Sequence, residues 1–258
     1  MLTGVSITHN WHVIGLIVFL HTLVIYIWTI GATILFGSVA ILFGLFSKTG
    51  NSVHHVARFW AMSILWISAI PVSVNGVEHI EPGRSYVFMS NHQGAYDIPV
   101  LLSHLLVQFR WIAKAELFKI PIFGRGMRGA GYISIDRTNR KSAFQSLVRA
   151  AESIRNGTSV LVFPEGTRSL DGELLPFKKG GFVLSVDAGV PIIPIIVRGT
   201  HAIMSKGSLL IRRKPVRVDI LAPISTDQYT RKTKDDLMAR VRVTMSDRLA
   251  SGAEGQGV

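Results

Sequence analysis

Apolar and polar positions divide the chain into two textures. From Val13 to Phe46 the sequence is almost wholly apolar, and residues 1–47 contain no Lys, Arg, Asp or Glu. One membrane span needs about 20 residues, so this run is too long for one span and short for two with a turn. Gly31 and Gly37 lie near its middle. Three arrangements fit: a spanning helix followed by an interfacial one, a hairpin entering one leaflet and returning, or a steeply tilted pair. A secretory signal fits poorly, because no positive charge precedes a run of this length. A second apolar stretch, Phe59 to Val74, puts Trp60, Ile64 and Ile67 on one helical face with Trp66 near it. Trp favours the headgroup region, so this stretch predicts an interfacial helix, ended by Pro71.

After Val77 short β-like runs alternate with helical patterns. Strands are predicted at Ser85–Met89, Gln108–Ile112, Tyr132–Ile135, Thr158–Phe163, Ile192–Val197 and Val216–Leu221. Helices are predicted at Asn139–Asn156, Gly181–Ala188 and Thr233–Leu249. The alternation reads as α/β with one central sheet. The expected organisation is an N-terminal anchoring segment over 1–74, a catalytic domain over 75–250 and a disordered Gly-rich tail over 251–258.

Composition supports this division. Charged residues make up only 17% of the chain and mean hydropathy is +0.36, whereas a soluble domain carries about 25% charged residues. Lys48 and Arg58 are the only charged residues before Glu78, so nearly all of the net +12 belongs to the α/β part. A basic domain beside apolar segments predicts contact with a membrane surface and anionic partners. Charge alone would also suit a nucleic-acid binder, but the Lys and Arg are scattered and no RNP-like run or zinc-finger spacing occurs. The chain has no cysteine, which excludes disulfides, thiolate catalysis and Cys-based zinc sites.

Four motifs follow or form predicted strands. Asn91-His92-Gln93-Gly94-Ala95-Tyr96-Asp97 follows Tyr86–Met89, and α/β sheets bind ligands at the carboxyl ends of strands. In one continuous helix the five-residue offset of His92 and Asp97 would leave them about 140° apart. The two meet only if His92 precedes the helix and Asp97 lies in its first turns. A carboxylate holding one imidazole nitrogen leaves the other as a base, the logic of a Ser-His-Asp triad with a substrate hydroxyl replacing the serine. A capping Asp beside a structural His is the plain alternative. Phe163-Pro164-Glu165-Gly166-Thr167-Arg168-Ser169 also follows a strand. Gly166 allows close backbone approach, Arg168 offers planar donors to a phosphate, and Glu165 can accept from a substrate hydroxyl or hold Arg168. Arg137 ends the run Gly131–Asp136 at the same edge. Val190-Pro191-Ile192-Ile193-Pro194-Ile195 reads as a buried supporting strand.

Together, in this order, these blocks resemble the glycerolipid acyltransferase family, enzymes that acylate glycerol 3-phosphate and lysophosphatidic acid. Its blocks are Asn-His-x-x-x-x-Asp (Asn91, His92, Asp97), a strand-end Arg (Arg137), Phe-Pro-Glu-Gly-Thr-Arg-Ser (Phe163–Ser169) and Val-Pro-Ile-Ile-Pro (Val190–Pro194). The resemblance covers roughly residues 75–225, and the apolar N-terminus and overall size look like those of bacterial 1-acylglycerol-3-phosphate acyltransferases. It implies a single central mixed sheet flanked by helices, with N-terminal membrane-associated helices. It also implies transfer of a fatty acyl chain to the sn-2 hydroxyl of lysophosphatidic acid, with His92 as base and Asp97 as its partner. Lys114, Arg137, Glu165, Gly166, Thr167 and Arg168 would bind the glycerol-phosphate end. No cofactor or metal is expected, only acyl-CoA or acyl-acyl carrier protein as donor. The partners implied are membrane lipids, the lysophosphatidic acid acceptor and an acidic carrier protein, with no nucleic acid. The place implied is a bacterial inner membrane, catalytic domain on the cytoplasmic side. The alternatives are another lipid acceptor (glycerol 3-phosphate, an acylated sugar lipid, an aminoacyl lipid) or a non-catalytic membrane-binding module.

Overall fold

The computed structural model describes residues 5–251. Of the expected disordered tail only Ser251 is described, as the last residue of the final helix; the rest lies outside the described residues.

The N-terminal run forms one unbroken helix, α1 (Val5–Phe46). Neither Gly31 nor Gly37 interrupts it, so it is neither a leaflet hairpin nor a pair of helices. Glycine costs a helix only about 1 kcal/mol, and an apolar setting forces the backbone to satisfy its own hydrogen bonds. Gly37 serves packing instead. A Cβ there would sit 2.5 Å from the Ile122 side chain, and Gly44 lies against Gly129. Small residues thus let α1 approach α4 (Phe123–Gly129) closely. From Ile14 to Phe46 the helix has 33 residues, about 50 Å at 1.5 Å per residue. Most of that length is exposed, and it is long and apolar enough to cross a membrane.

The chain turns at Ser47–Gly50 and returns as α2 (Asn51–Ile67). This differs from the expected interfacial helix over Phe59–Val74. The helix starts earlier and ends before Pro71, and Val72–Asn75 forms strand β1. One face of α2 belongs to the core, with Ala61, Ile64 and Leu65 buried, whereas Trp66 is 76% exposed on the other face.

The remaining elements are β2 (Val87–Ser90), α3 (Asp97–His104), β3 (Phe109–Lys114), α4, β4 (Ile133–Ile135), α5 (Arg140–Arg155) and β5 (Ser159–Val162). They continue with α6 (Gly180–Ala188), β6 (Ile192–Arg198), α7 (Thr200–Ile203), β7 (Val216–Ile220) and α8 (Lys234–Ser251). The strands form a single seven-stranded sheet in the order β1-β7-β6-β2-β5-β3-β4. Every pair is parallel except β6 with β7, so the sheet is mixed, as the resemblance implies.

The central strands are apolar on both faces, as expected of parallel strands covered by helices. Phe88, Leu161, Ile193 and Ile195 point to a core shared with α1, α2 and α3. Their neighbours Val87, Met89, Val160 and Ile192 point to a core shared with α5, α6 and α8. This alternation is the two-residue period of a pleated strand. Ile25 of α1 lies in the first core beside Ala61 and Phe88, so the apolar N-terminal helices share a core with the α/β sheet.

A buried carboxylate locks the far edge. Asp219 on β7 accepts hydrogen bonds from Asn75 Nδ2 (3.0 Å), Arg217 Nε (3.0 Å) and Arg198, and lies 3.2 Å from Arg248 Nε. Burial opposes its ionisation, but the hydrogen bonds from Arg217, Asn75 and Arg198, with the Arg248 cation beside them, prevail and hold it at about 2. A carboxylate depressed in the folded state stabilises fully above its unfolded value, about 3.8. That contribution is lost as pH falls through about 2. Asp219→Asn should therefore cost about 2 kcal/mol near neutral pH, at about 1.4 kcal/mol per pKa unit. Thermal melts should also show a shallower acid limb than wild type, and an unchanged Tm would rule the network out as a clamp.

Candidate active site

Strands β6, β2, β5, β3 and β4 are consecutive and parallel, so their carboxyl ends share one edge. In that order the edge carries Thr200, His92, the Phe163–Arg168 turn, Lys114 and Arg137. The sheet thus assembles residues scattered over a hundred positions of sequence, as expected at the carboxyl edge of an α/β sheet.

The His92–Asp97 geometry follows the offset argument. His92 lies between β2 and α3, and Asp97 is the first residue of α3. His92 Nδ1 is 2.7 Å from Asp97 Oδ2. A carboxylate only accepts, so Nδ1 carries the hydrogen, and in the neutral imidazole the lone pair is then on Nε2. Asp97 is fully buried and richly held. Its Oδ2 also accepts from the amides of Gln93 (2.7 Å) and Gly94 (2.9 Å), and its Oδ1 from the Thr200 hydroxyl. Thr200 can come this close because residue 94 is glycine: a Cβ there would collide with the Thr200 carbonyl. Asn91, the first residue of the motif, does no chemistry. Its side-chain amide donates to the Val197 carbonyl (2.9 Å) and accepts from the Val197 amide (2.8 Å), splicing the ends of β2 and β6.

Phe163 lies flat on the His92 imidazole, with ring centres 3.9 Å apart and planes 9° apart. Trp111 packs behind it at 5.5 Å. The ring plane of His92 is therefore fixed from one side by stacking and at one edge by Asp97.

Glu165 is turned toward backbone amides. It is 2% exposed and lines no part of the cavity described below. Its Oε1 accepts from the His92 amide (2.7 Å) and its Oε2 from the Leu175 amide (2.9 Å). It makes no hydrogen bond to Arg168; it ties the turn after β5 to the backbone of His92. The Ser169 amide returns the connection by donating to the His92 carbonyl at 2.8 Å. Burial raises the Glu165 carboxyl to about 7 against the lowering effect of the Leu175 and His92 amides.

The other five expected phosphate-side residues converge. Lys114, Arg137, Gly166, Thr167 and Arg168 line one cavity together with His92. Arg137 donates to the Gly166 carbonyl, which joins the end of β4 to the turn after β5. Gly166 has φ 73°, a left-handed backbone that a side chain would strain. Lys114 Nζ lies 3.3 Å from Glu116. The cavity has a volume of about 470 Å³, and away from this charged mouth it is apolar. Its walls include Phe36 of α1, Trp60 of α2, Leu102 of α3 and Phe123 of α4. Cavities of a few hundred Å³, mostly apolar with a few convergent polar groups, are the usual form of a small-molecule site. Among the described residues no three His, Asp or Glu side chains cluster to hold a metal ion.

Three contributors were not read from sequence. Thr200 supports Asp97 from 103 residues away. The stacked Phe163 stood in a quoted motif but had no assigned role. Lys206 reaches the Thr167 hydroxyl at 3.3 Å from a loop that no motif marks.

The acyltransferase family model matches residues 71–198. The 1-acyl-sn-glycerol-3-phosphate acyltransferase of Limnanthes douglasii is 36% identical over 195 residues, covering 75% of this chain and 68% of the relative. The human 1-acyl-sn-glycerol-3-phosphate acyltransferase alpha is 34% identical over 191 residues, covering 74% and 68%. The crystal structure of the 1-acyl-sn-glycerophosphate (LPA) acyltransferase PlsC from Thermotoga maritima superposes with a TM-score of 0.77 at 26% identity, over 90% of this chain and 95% of that one. This chain belongs to the acyltransferase family that includes the 1-acyl-sn-glycerol-3-phosphate acyltransferases.

Proposed function

We propose that the protein transfers a fatty acyl chain from a thioester, acyl-CoA or acyl-acyl carrier protein, to the sn-2 hydroxyl of lysophosphatidic acid, giving phosphatidic acid at a membrane. The observation that carries this reading is the position of His92. It lies where an apolar cavity meets three cationic side chains, Lys114, Arg137 and Arg168. An acyl chain suits the apolar walls and a phosphate monoester suits the cations. The reacting hydroxyl and carbonyl are then brought together at the imidazole. The relatives named for this reaction support the choice of acceptor.

In this mechanism the acceptor hydroxyl gives its proton to His92 Nε2 as its oxygen attacks the thioester carbonyl carbon. The tetrahedral oxyanion collapses, the C–S bond breaks, and the departing sulfur takes the proton back from the imidazole. The hydrogen bond from Nδ1–H to Asp97 stabilises the positive charge that the ring carries in between. A cysteinyl acyl-enzyme is not available, because the chain has no cysteine. Helix α1 holds the domain at the bilayer from which the acceptor is drawn.

Release of free thiol from acyl-CoA with lysophosphatidic acid as acceptor tests the reaction. Parallel runs with glycerol 3-phosphate and with lysolipids lacking the phosphate monoester separate this acceptor from its rivals. Arg168→Ala should raise the acceptor KM by about 10–100-fold, corresponding to loss of about 1.5–3 kcal/mol from a charged hydrogen bond. An unchanged acceptor KM would remove Arg168 from phosphate binding.

A further inference from the structure

Between α7 and β7 the chain runs without regular structure, and this loop joins the cavity mouth to α1. At one end Lys206 donates to Thr167. Further on, the loop is stapled to α1. The Ile211 amide donates to Thr22 Oγ1 (3.0 Å), that hydroxyl donates to the Ile211 carbonyl (3.4 Å), and Tyr26 Oη donates to the Leu209 carbonyl (3.0 Å). Ile211 is buried, whereas Leu209 is 75% and Leu210 38% exposed. Leu23 and Ile27, the residues of α1 next to the two staples, are exposed as well. Arg212, Arg213 and Lys214 follow directly, all exposed. Among the described residues none of the three pairs with a carboxylate.

Two outward leucines on a backbone pinned to a membrane-type helix, followed at once by three free cations, form an apolar tip with a basic collar. We propose that the loop Ser205–Lys214 is a second membrane contact, in which Leu209 and Leu210 enter the headgroup boundary of an anionic leaflet while Arg212, Arg213 and Lys214 hold its phosphates. Apolar tips of this kind settle about 5–10 Å into the interface, and anionic lipid adds to their affinity. The contact would set the cavity mouth at headgroup height, because Lys206 of the same loop touches the phosphate-side turn. The inference rests on the proposal that α1 seats the protein in a bilayer and that the acceptor is a lipid.

The chain has no cysteine, so one can be placed at will. The full-length Leu210→Cys protein, labelled with a polarity-sensitive dye, is reconstituted into vesicles of phosphatidylcholine, alone or mixed with phosphatidylglycerol. Ser225→Cys, at an exposed position beyond β7, serves as the aqueous control. The dye at position 210 should shift to the blue and be quenched by lipid-borne quenchers, more so with phosphatidylglycerol. With Arg212, Arg213 and Lys214 changed to alanine, the loop should lose about fivefold in partition for each cation removed. Turnover of a long-chain acceptor presented in vesicles should fall in that triple variant, while turnover of a short-chain, water-soluble acceptor stays at the wild-type level. A dye at 210 that stays open to aqueous quencher, or that responds equally to both vesicle compositions, overturns the proposal whatever the turnover. A wild-type protein that releases no thiol would sink the reaction and leave the dye result standing.

Discussion

His92→Ala should lower thiol release in the presence of lysophosphatidic acid by about 10²–10⁴-fold, the usual worth of a positioned general base, while folding and membrane attachment are kept. The ring is half-buried at the cavity mouth, and its partners Asp97 and Phe163 are held by contacts of their own. Asp97 keeps the Gln93 and Gly94 amides and the Thr200 hydroxyl, so its charge is not orphaned when the imidazole goes. The loss should therefore fall on kcat, with the acceptor KM little changed and helical circular dichroism unaltered. Because the chain has no cysteine, a thiol-reactive chromogen reads the released thiol without background from the protein. Near-normal turnover by the variant would sink the proposed mechanism.

Glu165→Gln should be almost as damaging, for a different reason. Both oxygens of Glu165 are used by backbone amides. A glutamine has one acceptor and one donor end, so either the His92 or the Leu175 amide faces a second N–H. One buried amide is left unpaired, at a cost of about 1–3 kcal/mol, and the loop bearing His92 relaxes away. Displacement of a catalytic group by about 1 Å can lower a rate by about 10²-fold. The expected signature is a fall in kcat of that order with the acceptor KM within a fewfold of wild type. A residue that bound the glycerol-phosphate end would give the opposite split, with KM rising and kcat preserved. That outcome would support the role that the family resemblance implies for Glu165.

The contrast between these two residues shows which parts of the site are legible in sequence. The His92–Asp97 pair is local. Helix periodicity alone says that it meets only if His92 precedes the helix, and the chain folds so. Arg137 and Arg168 are legible because each follows a predicted strand, and parallel strands bring their ends to one edge; Lys114 is assigned through the family resemblance alone. Glu165 has the right chemistry for a substrate ligand, but its direction depends on the packing of the turn after β5, which no local pattern encodes. Thr200 is illegible for a related reason, since its partner lies on a strand that only tertiary structure makes adjacent. Six of the seven strands announce themselves by apolar runs. β1 does not, because Val72–Asn75 alternates at the end of a longer apolar stretch and merges with the helix before it. Gly31 and Gly37 suggest a break in α1, yet the helix continues, because close packing on α4 and the lack of other hydrogen-bond partners outweigh the propensity cost.

The brackets around His92 also bear on timing. The amide of His92 is held by a residue 73 positions later, and its carboxylate partner by one 103 positions later. Contacts between residues so far apart in sequence form slowly, since a long loop must close before they give any return. By contrast, α1 and α2 are sequence neighbours at the N-terminus and pair through a short turn. During synthesis the helical pair is thus made while the residues that orient the base have not left the ribosome. The first activity of each molecule therefore reports that the last central strand has docked.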